Sequence, residues 1–329
     1  MTTAPEDVPL LEVQVRAIRL EARAIRSFEL RSLDGQRLPA FGAGAHLDIL
    51  LPDAAERSYS LLNPLDDGSR FVIAVQREAE SRGGSAFLCD QVRVGDLLRV
   101  KAPANNFPLA EDAASSVLIA GGIGLTPILS MIRRLEQLAR SWTLFFAARS
   151  TADAPFLDEL AALEARAPGR VHIRLSGAPP SDGAATARLD LPAILRAQPP
   201  GTHFYCCGPN RMLKDFEAAA GFLPPAQVHV EYFSAGAPVA AGGFEVVLAR
   251  SGRTVKIPRD RTILETLLAE GMSLPRSCME GVCGTCETVV LEGIPDHRDQ
   301  VLSQRERRSN RKIIICRSGC IGDRLVLDL

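Results

Sequence analysis

Two hydrophobic rhythms succeed one another along the chain, and a shorter third segment follows them. Over residues 8–108 apolar and polar side chains alternate, most clearly in "LEVQVRAIRLEARAIRSFELRSLDG". A period of two puts successive side chains on opposite faces of a strand, and the Asp34-Gly35 pair in this stretch is a turn signal. The runs "HLDILLP", "RSYSLLN", "RFVIAVQRE" and "DLLRVKAP" continue the pattern, broken by Gly, Pro and Asp. About six short strands at this spacing predict a small β-barrel.

From Ser116 the runs become short and densely apolar: "SVLIAGG", "WTLFFAARS", "VHIRLS", "THFYCCGP" and "QVHVEYF". Helical patterns separate them. "TPILSMIRRLEQLAR" sets Ile128, Ile132, Leu135 and Leu138 on one stripe, and "APFLDELAALEARA", "LPAILRAQ" and "NRMLKDFEAAAGF" repeat the alternation. Strands buried on both faces, each followed by a helix, predict a doubly wound parallel α/β domain over 112–234. The small, uncharged stretch "SAGAPVAAGG", with 235–243 at its heart, reads as a linker. Beyond it, 244–329 predicts a third, mixed-β domain: a hairpin turning at Ser251-Gly252, a helix in "RTILETLLAEGM", and closing strands "KIIIC" and "RLVLDL".

Composition sharpens this picture by exclusion. With 38 basic against 39 acidic residues the net charge is -1, so nothing points to nucleic acid or an anionic membrane as the main partner. The start "MTTAPEDVPLLEV" carries acids where a secretory signal would carry bases. No run approaches the roughly 20 apolar residues of a membrane span. A cytoplasmic location is therefore expected, where eight cysteines point to metal or redox use rather than disulfides.

The thiols carry the sharpest signal. Cys278-x4-Cys283-x2-Cys286, with Cys316 far downstream, is the plant-type [2Fe–2S] spacing. Two irons need four thiolates, and the bridging sulfides want backbone N–H donors, which Gly281 and Gly284 let the chain turn inward. A zinc site normally shows two Cys-x2-Cys knuckles, and here there is one. Cys316 is expected on the strand "KIIIC" and Cys320 beyond it.

"AGGIGLTP" joins the first parallel strand to its helix, and "YCCGPNRM" ends the fourth. Helix N-terminal amides at such turns hold pyrophosphate, and both turns belong to the carboxyl edge of the sheet, where ligands bind. Cys89 and Cys206 read as core residues. Cys207 stands equally as a core residue or as one facing a nicotinamide. In the barrel, "RSYSLLN" is unusually polar: Arg57 suits a phosphate, Tyr59 offers a flat ring, and Ser60 a small donor. "SRGGSAF" is a Gly-rich turn into a short helix, a second place for phosphate. The five histidines are scattered, and neither a Ser/His/Asp triad nor a carboxylate pair is evident.

Taken together in this order, "RSYS", "RGGS", "GGIGLTP", "CCGP" and "CMEGVCGTC…C" resemble the phthalate dioxygenase reductase family, which includes vanillate O-demethylase reductases, from about Leu11 to Leu329. The resemblance implies a flavin-binding β-barrel, an NAD-binding domain and a C-terminal β-grasp ferredoxin domain. It implies FMN rather than FAD, held by Arg57, Ser58, Tyr59 and Ser60 and by the turn Arg82, Gly83, Gly84, Ser85. It sets Gly121, Gly122, Gly124 and Thr126 by the NADH dinucleotide, and Cys207, Gly208 and Pro209 by its reactive end. Phe233, closing "VEYF", matches an aromatic that shields the flavin, with a core role as the alternative. Ser60, Thr126, Cys207 and Phe233 are the expected catalytic positions.

The implied activity is NADH-dependent reduction of a partner oxygenase, of the Rieske non-haem iron type. A redox sensor, or a reductase for a cytochrome or soluble carrier, are the alternatives. Arg149, in "AARSTAD", would suit a 2′-phosphate and Asp153 a ribose hydroxyl, so the NADH preference stays a lean. The basic run "RERRSNRK", Arg305–Lys312, is either a solvated loop or a docking surface for an acidic partner.

Overall fold

The structure, a computed structural model, describes residues 10–52, 55–81, 83–177, 188–234, 236 and 239–329. Its contacts divide the chain into two compact units, Val8–Glu231 and Tyr232–Leu329.

The first unit begins with six antiparallel strands: β1 (Leu10–Ala22), β2 (Ile25–Ser32), β3 (His46–Leu50), β4 (Glu56–Ser60), β5 (Phe71–Gln76) and β6 (Leu97–Lys101). They lie in the order β4-β3-β6-β1-β2-β5. Leu61, one residue past β4, bridges to Ile73 of β5, so the two edge strands meet and the sheet closes into a barrel. The inward-facing residues Val13, Val15, Phe28, Leu30, Leu47 and Ile49 fill its core. A single helical turn, α1 (Gly84–Ala86), runs on into a π-helical turn at Phe87–Gln91 between β5 and β6. The first hairpin turns at Arg23-Ala24, and the Asp34-Gly35 pair turns the chain just after β2, with Gly35 at φ 71° and the Gln36 amide donating to Asp34 Oδ1 at 3.1 Å.

The same unit continues as the expected alternation: β7 (Ser115–Gly121), α2 (Leu125–Gln137), β8 (Ser141–Ala148), α3 (Leu157–Arg166), β9 (Val171–Leu175), α4 (Leu191–Arg196), β10 (Thr202–Cys207), α5 (Asn210–Ala219) and β11 (Val228–Glu231). All five strands are parallel, in the order β11-β10-β7-β8-β9. The chain builds outward from β7 through β8 and β9, then crosses to the other side of β7 for β10 and β11. The reversal makes the β7/β10 seam the topological switch point, where open α/β sheets bind their ligands. Ile128, Ile132 and Leu135 of the α2 stripe are fully buried, joined by Leu125, Leu129 and Met131.

The second unit is a mixed sheet of β12 (Glu245–Leu248), β13 (Thr254–Lys256), β14 (Glu287–Glu292), β16 (Lys312–Ile314) and β18 (Arg324–Leu327), in the order β13-β12-β18-β14-β16. β15 (Pro295–Asp296) pairs with β17 (Gly319–Cys320), and two helices, α6 (Ile263–Ala269) and α7 (Gln304–Ser309), complete the unit. The β12–β13 hairpin turns at Ser251-Gly252 as expected, with Gly252 at φ 69°. A reciprocal Thr262/Glu265 capping box starts α6 and contributes about 1 kcal/mol. The helix then buries Ile263, Leu264 and Leu267 in the core of this unit, which also takes in Cys286 and Cys316. Cys316 lies in the turn after β16 rather than on the strand, and Cys320 is itself on a strand, β17.

Candidate functional site

At the switch point the two glycine-bearing turns touch through their backbones. A Cβ on Gly124 would lie 2.3 Å from the Cys207 carbonyl oxygen and 2.7 Å from the Gly208 nitrogen. One on Gly121 would meet Pro209 Cδ at 2.6 Å, and one on Gly208 would meet the Gly121 nitrogen at 3.0 Å. No side chain fits there, which is why both turns are built of glycine. Gly122, at φ 54°, faces open space. No side chain caps the N-terminus of α5, so its first-turn amides are available to an anion, whereas at α2 the Leu125 amide is already given to the Gly122 carbonyl. Thr126, buried in the first turn of α2, donates its hydroxyl to the Ile123 carbonyl at 2.9 Å. The arrangement fits a pyrophosphate.

Cys207 ends β10, fully buried, in register with Glu231 at the end of β11, and its sulfur lies 3.7 Å from a Glu231 carboxylate oxygen. Burial pushes the Glu231 carboxyl up to about 8, and burial followed by the adjacent carboxylate pushes the Cys207 thiol up. A neutral acid and a neutral thiol thus share the carboxyl edge of the sheet. Sequence reasoning missed Glu231. The signal was an acid closing a densely apolar parallel strand. Cys206 and Cys89 are core residues, as expected.

In the barrel, β4 presents Arg57, Ser58 and Tyr59 half-buried and Ser60 buried. Ser58 donates to Asp48 at 2.5 Å, and Arg57 Nη1 donates to the Glu56 carbonyl at 2.7 Å. The Gly-rich turn packs against this strand. A Cβ on Gly84 would strike Arg57 Cγ at 2.5 Å and the Tyr59 hydroxyl at 2.9 Å, so the two motifs form one cradle. Gly83 adopts φ 95°, and Ser85 bonds Ser81 at 3.0 Å. Burial pushes the Tyr59 hydroxyl well above its usual range, keeping it a neutral donor. This polar, glycine-lined cradle fits a phosphorylated aromatic cofactor. Arg82 lies outside the described residues. Phe233, 40% exposed, belongs to the second unit.

In that second unit the four thiols associate as two pairs. Cys278 hydrogen-bonds Cys283, and Cys286 hydrogen-bonds Cys316. Cys278, Cys286 and Cys316 are buried and Cys283 is partly exposed. Backbone amides turn toward the sulfurs: Glu280 to Cys278 at 3.3 Å, with Val282 also on Cys278, Thr285 on Cys283 and Gly281 on Cys316. The hydrogen bond from Cys278 lowers the Cys283 thiol to about 5, so a thiolate forms readily in that pair. Two thiol pairs under inward amides are a donor set that would fit a [2Fe–2S] cluster. Gly281 and Gly284, at φ 72° and 79°, give the loop its curl.

Comparison with known proteins agrees with this anatomy. Residues 118–218 match the oxidoreductase NAD-binding domain, and residues 246–320 match the 2Fe-2S iron-sulfur cluster binding domain. The chain is 50% identical to phenoxybenzoate dioxygenase subunit beta of Ectopseudomonas oleovorans, over 100% of both chains. It is 46% identical to tetrachlorobenzoquinone reductase of Sphingobium chlorophenolicum, over 98% of this chain and 99% of that one. Phthalate dioxygenase reductase of Burkholderia cepacia is 38% identical over 99% and 100%. A solved phthalate dioxygenase reductase structure, described as modular for electron transfer from pyridine nucleotides to [2Fe-2S], superposes with a TM-score of 0.82 over 99% of this chain and 100% of that one, at 37% identity. A barrel, an NAD-binding domain and a [2Fe–2S] ferredoxin domain in one oxidoreductase chain, with full-length identities of this size, place the protein in the phthalate dioxygenase reductase family.

Proposed function

We propose that the chain is the reductase component of a multicomponent oxygenase, passing electrons from NADH through FMN to its [2Fe–2S] cluster and on to a Rieske non-haem iron partner. The observation that carries this reading is the joining of the Gly121–Gly124 and Cys207–Pro209 turns at the switch point, in a chain that also pairs four cluster-spaced thiols. The domains on this reading are 8–108 for FMN, 112–234 for NADH, a linker at 235–243, and 244–329 for the cluster.

The flavin supplies the chemistry that connects a two-electron hydride donor to a one-electron cluster. The residues supply positions. Arg57 and the turn Arg82, Gly83, Gly84, Ser85 take the FMN phosphate, with Ser58, Tyr59 and Ser60 along the ring system. Gly121, Gly122, Gly124 and Thr126 orient the dinucleotide by their amides. Cys207, Gly208 and Pro209 would border the nicotinamide, and Phe233 would be the aromatic that shields the flavin. Below about pH 8 Glu231 keeps its proton beside Cys207 Sγ, so the edge that receives a nicotinamide carries no fixed negative charge. Cys278, Cys283, Cys286 and Cys316 hold the irons.

Flavin released from the purified protein should chromatograph as FMN, and iron and acid-labile sulfide should each approach two per chain. FAD, or a single metal per chain, would overturn the assignment. A second reading, direct quinone reduction, is supported by the 46% identical quinone reductase. It requires quinone turnover to survive Cys283→Ser, whereas a relay through the cluster loses transfer to the oxygenase in that variant. A purely regulatory sensor would have no use for two nucleotide turns.

A further inference from the structure

We propose that Arg305, Arg308 and Arg311 form the docking surface for an electron-accepting protein whose contact face is acidic; the proposal rests on the relay reading above. The cysteine loop meets the chain at Val301, four residues ahead of this basic segment. Val301 Cγ1 lies 3.2 Å from where a Cβ on Gly284 would sit, between Cys283 and Cys286. Cys283 is partly exposed, unlike the other cluster-spaced thiols, and Thr285 beside it is exposed, so this lip is the outward edge of the loop. The α7 helix leaves from there.

Every other charge in the segment has a local use. Arg307 bonds the Leu302 carbonyl at 2.9 Å and lies 3.5 Å from Asp299. Lys312 pairs with Glu287 at 2.9 Å and reaches Glu306 at 3.4 Å. Glu306 closes the capping box with Ser303. Arg305, Arg308 and Arg311 are exposed and make no ion pair among the described residues. Arg305 and Arg308 are three residues apart on a short helix, where like charges repel and weaken it. The fold gains nothing from that repulsion. An acidic partner would relieve it, and the same field would steer that partner onto the edge through which electrons leave. Each transfer there oxidises the cluster by one electron and reduces the acceptor by one.

The test uses one haem protein in two charge states: native cytochrome c, which is basic, and the same protein succinylated, which is acidic. Calorimetric titration of the oxidised full-length protein should detect the succinylated form at low salt and not the native one. Its Kd should rise at least about tenfold between roughly 20 mM and 200 mM salt. R305E/R308E/R311E should reverse the preference, and R305Q/R308Q/R311Q, which only removes charge, should abolish it. In both variants NADH–ferricyanide activity and far-UV circular dichroism should be unchanged. Reduction of the succinylated form by protein whose cluster has been pre-reduced with dithionite should fall in parallel with binding. Equal binding of the two cytochromes, or binding unaltered by either triple variant, overturns the proposal. Failure of NADH to reduce the cluster would instead overturn the relay while leaving the binding result decisive.

Discussion

Replacing Gly124 with alanine tests the switch-point geometry most severely. The added Cβ would lie 2.3 Å from the Cys207 carbonyl oxygen, 2.5 Å from its carbon and 2.7 Å from the Gly208 nitrogen. All three are backbone atoms, so no rotamer change relieves the clash, and ordinary contact needs the two turns to part by about 1 Å. The cost to the fold is about 1–3 kcal/mol, the usual penalty of overpacking. Spread over a unit of this size, that lowers the Tm by roughly 3–10 °C. The kinetic effect should be larger, because a displacement of about 1 Å at a positioning site costs up to ~100-fold in rate. In the NADH–ferricyanide assay kcat/KM is expected to fall on the order of 100-fold, equivalent to about 2.7 kcal/mol. A variant within about threefold of the parent in kcat/KM, with its Tm unmoved, would refute the claim that these turns form the nucleotide site.

Other outcomes follow from the same contacts. Glu231 has a folded-state carboxyl pushed up to about 8 from an ordinary 4.5, so its contribution to stability is intact below about 4.5 and is lost as pH rises toward 8. Glu231→Gln should flatten that decline and be more stable than the parent at pH 9 by roughly 2–4 kcal/mol, read by denaturant unfolding at pH 6 and 9. Parallel pH profiles for the two proteins would contradict the burial of that carboxyl. Gly281→Ala puts a Cβ 2.9 Å from Arg317 Cβ at a backbone φ of 72°, so iron per chain should drop by half or more while flavin content holds. Cys283→Ser should abolish the parent cluster spectrum. Cys320→Ser should leave it intact, since that thiol sits on β17 with its sulfur 3.4 Å from the Arg324 carbonyl. An altered cluster in the second variant would reassign the fourth ligand.

Where a residue type answers a strict chemical need, the sequence was readable. Four thiolates at fixed spacing serve little besides a cluster, and glycine is the residue that lets two backbones touch. The structure joins Gly121, Gly124 and Gly208 as the sheet edge requires. The "RSYS" strand and the "RGGS" turn were legible as polar oddities, though not as neighbours. Their meeting at Gly84 is a product of barrel closure, which no local pattern encodes. The first hairpin left no local signal because it turns at Arg23-Ala24, neither of them a turn-former, so register with β2 and the shared core decide it. Cys316 fell off its expected strand because pairing between β14 and β16 stops at Ile314, two residues short of the thiol. Glu231 escaped notice because its significance comes from a parallel neighbour, Cys207, reached only through the crossover carried by α5.

The central claim, that one chain carries a two-electron flavin and a one-electron cluster both filled from NADH, is tested most directly by counting electrons. Anaerobic titration with NADH, followed by visible absorbance and by EPR, should reach its end point at about 1.5 equivalents per chain, with the flavin bleached and a rhombic ferredoxin-like signal developed. An end point at about one equivalent, with a cluster that only dithionite reduces, would contradict the relay.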